Sequence, residues 1–168
     1  MSTLDDGPGA ESSAAVAEIL PALRVVTGAL IFGVISLLGI GFFLSGEDMV
    51  NEPEFMSWLG LGIGGLMFVQ HLVVPNFIAR AAIRKQGSLE EVDPDTAYHV
   101  LAQVFHTQHI VGSAMLEAGA ILNVVFFITT NFIGNAVFAG VMALVMIVRL
   151  VMLSSAHVWI DEKYQQMS

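Results

Sequence analysis

Residues 105–129 read FHTQHIVGSAMLEAGAILNVVFFIT. The run is long enough to cross a hydrocarbon core, which takes about 20 mostly apolar residues as a helix. It carries one carboxylate, Glu117, near its middle. It also carries polar residues at a helical spacing: with Gln103 just before it, His106, His109, Ser113 and Glu117 follow at intervals of three or four. Such spacing places all five on one face of a helix. The run therefore predicts a membrane span with a polar stripe turned towards protein, because an ionised side chain at the bilayer centre costs several kcal/mol.

Three further segments reach the same length: Val25–Leu44, Trp58–Ala79 and Phe132–Ser155. Unpaired backbone is not tolerated in lipid, and none of the segments shows the period-2 alternation of a barrel strand, so all four read as helices. The expected fold is all-α, a four-helix transmembrane bundle over residues 24–160. Residues 1–23 are expected to form an acidic, partly disordered tail, with at most a turn or two of helix over 14–20 before Pro21. Residues 161–168 are expected to form a second tail. The N-terminus lacks the basic start of a secretory signal and instead carries Asp5, Asp6, Glu11 and Glu18.

The composition agrees. Of 168 residues, 55% are hydrophobic and 12% charged, against roughly 25% charged in soluble domains. Mean hydropathy is +0.75. A net charge of −9 argues against nucleic acid as a partner, since phosphate binding needs clustered Lys and Arg. With no cysteine, disulfides, thiolate metal sites and thiol nucleophiles are excluded.

The six basic residues predict a topology. Arg24 precedes the first span. Arg80, Arg84 and Lys85 fall between the second and third, and Lys163 follows the fourth. Segments 45–57 and 130–131 contain none. The positive-inside rule then puts both termini and the 80–104 segment in the cytoplasm, as expected for a multi-pass protein of a bacterial inner membrane. Trp58 and Trp159 suit interfacial positions on opposite sides. Asp95 or Thr96, after Pro94, is the expected N-cap of a third helix that starts before the membrane.

The remaining basic residue, Arg149, lies inside the fourth span. The second span adds Gln70, His71, Pro75 and Asn76; Pro75 cannot donate to the carbonyl of His71 and predicts a kink. His71, His109, Ser113, Glu117 and Arg149 are thus expected at similar depth. Three chemistries remain open for them. Glu117 can be clasped by Arg149 as a structural ion pair. It can take up and release a proton or small cation, protonated at neutral pH when no cation is near. Alternatively, His71 with His106 or His109 can ligate haem axially between facing helices, or the layer can hold a quinone in a redox subunit. A metal site of His106, His109 and Glu117 is disfavoured, because Glu117 lies two turns beyond His109. GLGIGG at 60–65 is no dinucleotide fingerprint, since no strand precedes it. EDMVNEPE and EEVDPD lack the spacing of a calcium loop. No hydrolase nucleophile is evident.

Small residues predict close helix contacts at Gly60/Gly64, Ala29/Gly33, Ala114/Ala118, Ala136/Gly140 and Ala139/Ala143. They serve packing within one bundle, a homo-oligomer or a membrane-complex partner.

The second and third spans resemble the hairpin of the rotary ATPase proteolipid, the c subunit. The resemblance rests on Gly60, Gly62, Gly64 and Gly65, on the polar loop with Arg84, Lys85 and Gln86, and on the acid among small residues in MLEAGAILNVVFF. More broadly, AMLEAG makes the whole chain similar to bacterial four-span proteins without an assigned activity. The proteolipid resemblance implies that Glu117 is an ion-carrying carboxylate.

Overall fold

The computed structural model describes residues 8–46, 49–85 and 93–166. Gln86 of the polar loop and the start of EEVDPD therefore lie outside the described residues. Five α-helices follow in order: α1 (Pro8–Ser45), α2 (Phe55–Lys85), α3 (Pro94–Thr130), α4 (Ile133–Val151) and α5 (Ala156–Gln165). A single 3-10 turn, Met152–Ser155, joins α4 to α5. Four helical stretches, with α4 and α5 counted as one, are long and apolar enough to cross a membrane. The chain is a multi-pass membrane protein built as an all-α four-helix bundle.

The third helix is the hub, packing against α1, α2 and α4, while α1 and α2 share no extensive face. Lipid gives helices no hydrophobic reason to associate, so contact depends on close backbone approach. Gly60 and Gly64 of α2 meet Phe126 and Asn123 of α3, and Gly119 of α3 meets Met142 of α4. These pairs run antiparallel. Gly33 and Gly41 of α1 meet Glu117 and Phe127, so α1 runs parallel to α3. Ala136, Ala139 and Ala143 are buried, whereas Ala114 and Ala118 are exposed. Because α4 touches both α1 and α2, the open strip of α3 bearing Ala114 and Ala118 lies between α1 and α2.

The two short connections pair with each other. Val50 donates to the Asn131 carbonyl at 3.0 Å, and Ile133 donates to the Val50 carbonyl at 3.2 Å. Asn131 closes α3 with a left-handed φ of 53°, a conformation that Asn tolerates better than most residues.

The expected tails are largely helix. Instead of a turn or two over 14–20, α1 is continuous from Pro8 and passes through Pro21. Ser12, Ala15, Val16 and Leu23 are buried. Ala15 and Val16 pack with Ala97, Tyr98, Leu101, Ala102, Ala156 and Ile160 in a core at the end holding the chain termini. The proline removes a bond to the carbonyl of Ala17, an exposed residue, where solvent can replace it. Residues 161–165 likewise continue α5, with Tyr164 stacked on Tyr98 at 4.6 Å between ring centres. Acidic composition suggested tails; a buried stripe at helical spacing overrides it. The N-cap of α3 is also displaced: it is Asp93, with Pro94 in the first turn, the helical position best suited to a residue without an N–H.

Ile160 is fully buried at the centre of the end core. Ile160→Ala is expected to cost about 2–5 kcal/mol in denaturant unfolding in detergent, and to open residues 12–23 to protease before the rest of the chain. Equal protease resistance in both proteins would mean that the first half of α1 is not held by this core.

Candidate functional site

The polar residues sort by helix and by level. The side chain of Arg149 lies against α3 at Gly112: a Cβ there would stand 2.8 Å from Nη2, 3.1 Å from Cζ and 3.3 Å from Nη1. The guanidinium therefore rests on bare backbone, and glycine makes the space. It forms no ion pair and no hydrogen bond among the described residues, and its Nε is buried without a partner. Since Gly119 of α3 lies beside Met67 of the antiparallel α2, His71 lies level with about residue 115 of α3.

His71 is buried on α2, and its Nδ1 donates to the Phe68 carbonyl. His109 is 6% exposed on α3, with Nε2 unpaired and its ring over Phe105. Ser113 is buried one turn further along, and its hydroxyl has no partner. The same holds for Thr27 on α1. Since Gly33 faces Glu117 in a parallel pair, Thr27 lies level with about residue 111 of α3. Four helix segments thus bring Thr27, His71, His109, Ser113 and Arg149 into one layer about 9 Å deep. An unpaired buried polar group costs about 1–3 kcal/mol, so three unpaired groups on α1 and α3 beside an unpaired arginine mark a costly place to fold without an exchangeable partner.

Glu117 is separate from this layer. It is half-buried, and its Oε1 faces Gly33 of α1, 3.9 Å from the position of a Cβ. Among the described residues it has neither a hydrogen bond nor an ion pair; the ion pairs there join His99 to Glu18 and to Asp95. Five residues, or about 7.5 Å of helix rise, separate Glu117 from the Gly112 level where Arg149 sits. The expected stripe is accordingly divided. His109 and Ser113 face the interior, Glu117 and His106 are half-buried at its edge, and Gln103 is exposed.

A cavity of about 520 Å³ opens beside the layer, lined by Phe105, Gln108, His109, Arg149, Leu153 and Trp159 among others. Of the three histidines expected as haem ligands, only His109 lines it; His71 and His106 do not. The bis-histidine pair is therefore not assembled around this space. No group of three or more metal-binding side chains occurs among the described residues.

Thr27, Asn123 and Asn135 are among the buried polar residues that did not stand out in the sequence. Thr27 sits in a first span read as purely apolar. Asn123 and Asn135 lie towards the opposite end of the bundle. Asn123 donates to the Gly119 carbonyl at 2.9 Å, while its Oδ1 and both polar atoms of Asn135 are unpaired. The usable signal was the amide itself, since Asn is costly in a span. No protein-family model, no curated protein and no solved structure matches the chain.

Gly112→Val is expected to lift Arg149 off α3, because its side chain would need the space of the guanidinium. The measurable result is a lower unfolding temperature in detergent, with the smaller Gly112→Ala in between. Equal stability of all three proteins would mean that the arginine does not depend on this contact.

Proposed function

We propose that this membrane protein takes up and releases a proton or small cation at Glu117. The observation that carries the reading is that Glu117 has no ion-pair partner and no hydrogen bond among the described residues, while Arg149 is held at Gly112. A carboxyl so placed in a span is neutral by binding a proton, because the bare charge is costly there. It becomes ionised only when the proton is exchanged or a cation replaces it. Small neighbours Gly33, Ala114 and Ala118 leave space around the carboxyl. Ser113 is one turn away, about 6 Å along α3, and His109 is one turn beyond it. With Thr27 opposite, these side chains form a polar route from the end that holds the termini. Arg149 near this route raises the cost of a cation and so tunes occupancy. The proteolipid resemblance points to the same residue.

The clasp reading requires contact between Glu117 and Arg149, and the haem reading requires two facing histidines at one cavity. Among the described residues Glu117 and Arg149 form no ion pair or hydrogen bond, and the cavity beside Arg149 is lined by one histidine, His109.

Glu117→Gln is expected to fold with nearly unchanged stability. Difference infrared spectra across a pH titration should show a protonated carboxyl band in the parent protein that is missing from the variant. A Glu117→Gln protein that unfolds, or a parent lacking the band at neutral pH, would return Glu117 to a purely structural role.

The proposal includes orientation: a bacterial inner membrane with both termini and the 80–104 segment cytoplasmic. The chain has no cysteine, so single cysteines report cleanly. In intact spheroplasts a membrane-impermeant maleimide is expected to label Asn51→Cys and to spare Gln166→Cys until the membrane is opened. The reverse pattern would invert the topology.

A further inference from the structure

We infer that the cavity beside Arg149 binds the phosphate headgroup of an anionic phospholipid, with the acyl chains lying along α4. An arginine in a span needs an anion or an exit to water. Arg149 has no carboxylate partner, and its guanidinium lies on the Gly112 backbone at the cavity wall. The fork of a guanidinium matches a phosphate with two N–H donors.

A second observation is independent of the arginine. His109 lines the same cavity, is more than nine-tenths buried, and its Nε2 is unpaired. It can donate to a second phosphate oxygen. Gln108 donates through Nε2 to Asn76 at 2.9 Å, which leaves its buried Oε1 without a partner. An acceptor of that kind suits a headgroup hydroxyl, as in a phosphoglycerol. The site therefore offers two donors for a phosphate and one acceptor for an alcohol.

The walls fit the rest of a lipid. Phe105 and Trp159 pack against each other at 5.4 Å between ring centres. Met152 and Val158, also in the lining, are well exposed, as are Val148 and Val151 on the adjoining part of α4. An apolar face continuous with the polar cavity is what an acyl chain requires. Glu162 lines the cavity too; it disfavours a multiply charged headgroup and so favours a phosphodiester monoanion. A neighbouring cavity beyond Trp159 carries Arg80, Arg84 and Lys163, which adds positive potential at the same end of the bundle.

The test uses the full chain, purified and delipidated in detergent, with thermal unfolding and lipid titration as readouts. Phosphatidylglycerol is expected to raise the unfolding temperature more than phosphatidylcholine of the same chains. Arg149→Gln should weaken phosphatidylglycerol binding about tenfold or more, the usual loss for one charge-assisted contact, and abolish the preference. Should Arg149→Gln fail to fold, Val158→Trp keeps the arginine and fills the mouth; it should bind phosphatidylglycerol no better than phosphatidylcholine. Equal stabilisation by the two lipids would overturn the inference, as would a preference that survives Val158→Trp. Inorganic phosphate acting as strongly as the lipid would show an oxyanion site without an acyl component. A free fatty acid acting more strongly would show a carboxylate site. Either result would replace the phospholipid.

Discussion

Close contact of α3 with its neighbours is the constraint on which the rest depends. A helix in lipid gains little by hiding apolar side chains, because the lipid is equally apolar. It gains by packing, and packing is tightest where one partner lacks a side chain. Gly33, Gly41, Gly60, Gly64, Gly112 and Gly119 all lie at contacts with α3 or on it. At Gly112 the same device does something else, making room for a guanidinium. The polar layer thus follows from the packing rule and is not imposed on it.

That placement separates the two charges that the sequence brings to a similar depth. A single helix cannot aim its residues freely: positions 112 and 117 differ by five residues, hence by about 140° around the axis. Gly112 looks towards α4 and Glu117 towards α1. The arginine therefore belongs to the α4–α5 side and the carboxylate to the α1 seam. Among the described residues neither Arg149 nor Glu117 has an ion-pair partner, so the two do not close a single clasp.

The number of spans and the all-α class were legible because the hydrocarbon thickness fixes a length and lipid forbids open backbone. His71, His109, Ser113 and Arg149 of the polar layer were legible for a related reason, since each such group in a span stands out against its neighbours. Three things were not legible. The docking of residues 12–23 depends on a stripe of alanine, serine and valine too weak to outweigh nearby acids. The separation of Glu117 from Arg149 depends on helix rotation, which depth counting cannot give. Thr27 was lost because a hydroxyl can bond to its own helix backbone and so passes unnoticed in an apolar run.

The parallel course of α1 and α3 adds a last consequence. Antiparallel neighbours oppose their dipoles, whereas a parallel pair adds them. Both helices begin at the end that holds the termini, so their combined N-terminal field favours negative charge there. Acidic side chains gather at that end in Glu18 and Asp95, with His99 between them at 3.4 and 3.7 Å. Arg149, at the far end of the antiparallel α4, has the partner preference appropriate to a helix C-terminus. The dipoles at this end are therefore mixed: the N-termini of α1 and α3 favour an anion, the C-terminus of α4 favours the cation it carries, and Glu117, deeper along α3, lies beyond the first turn over which such a field acts. Glu117 is left to its immediate surroundings, Gly33 of α1 and the small residues Ala114 and Ala118 of its own helix.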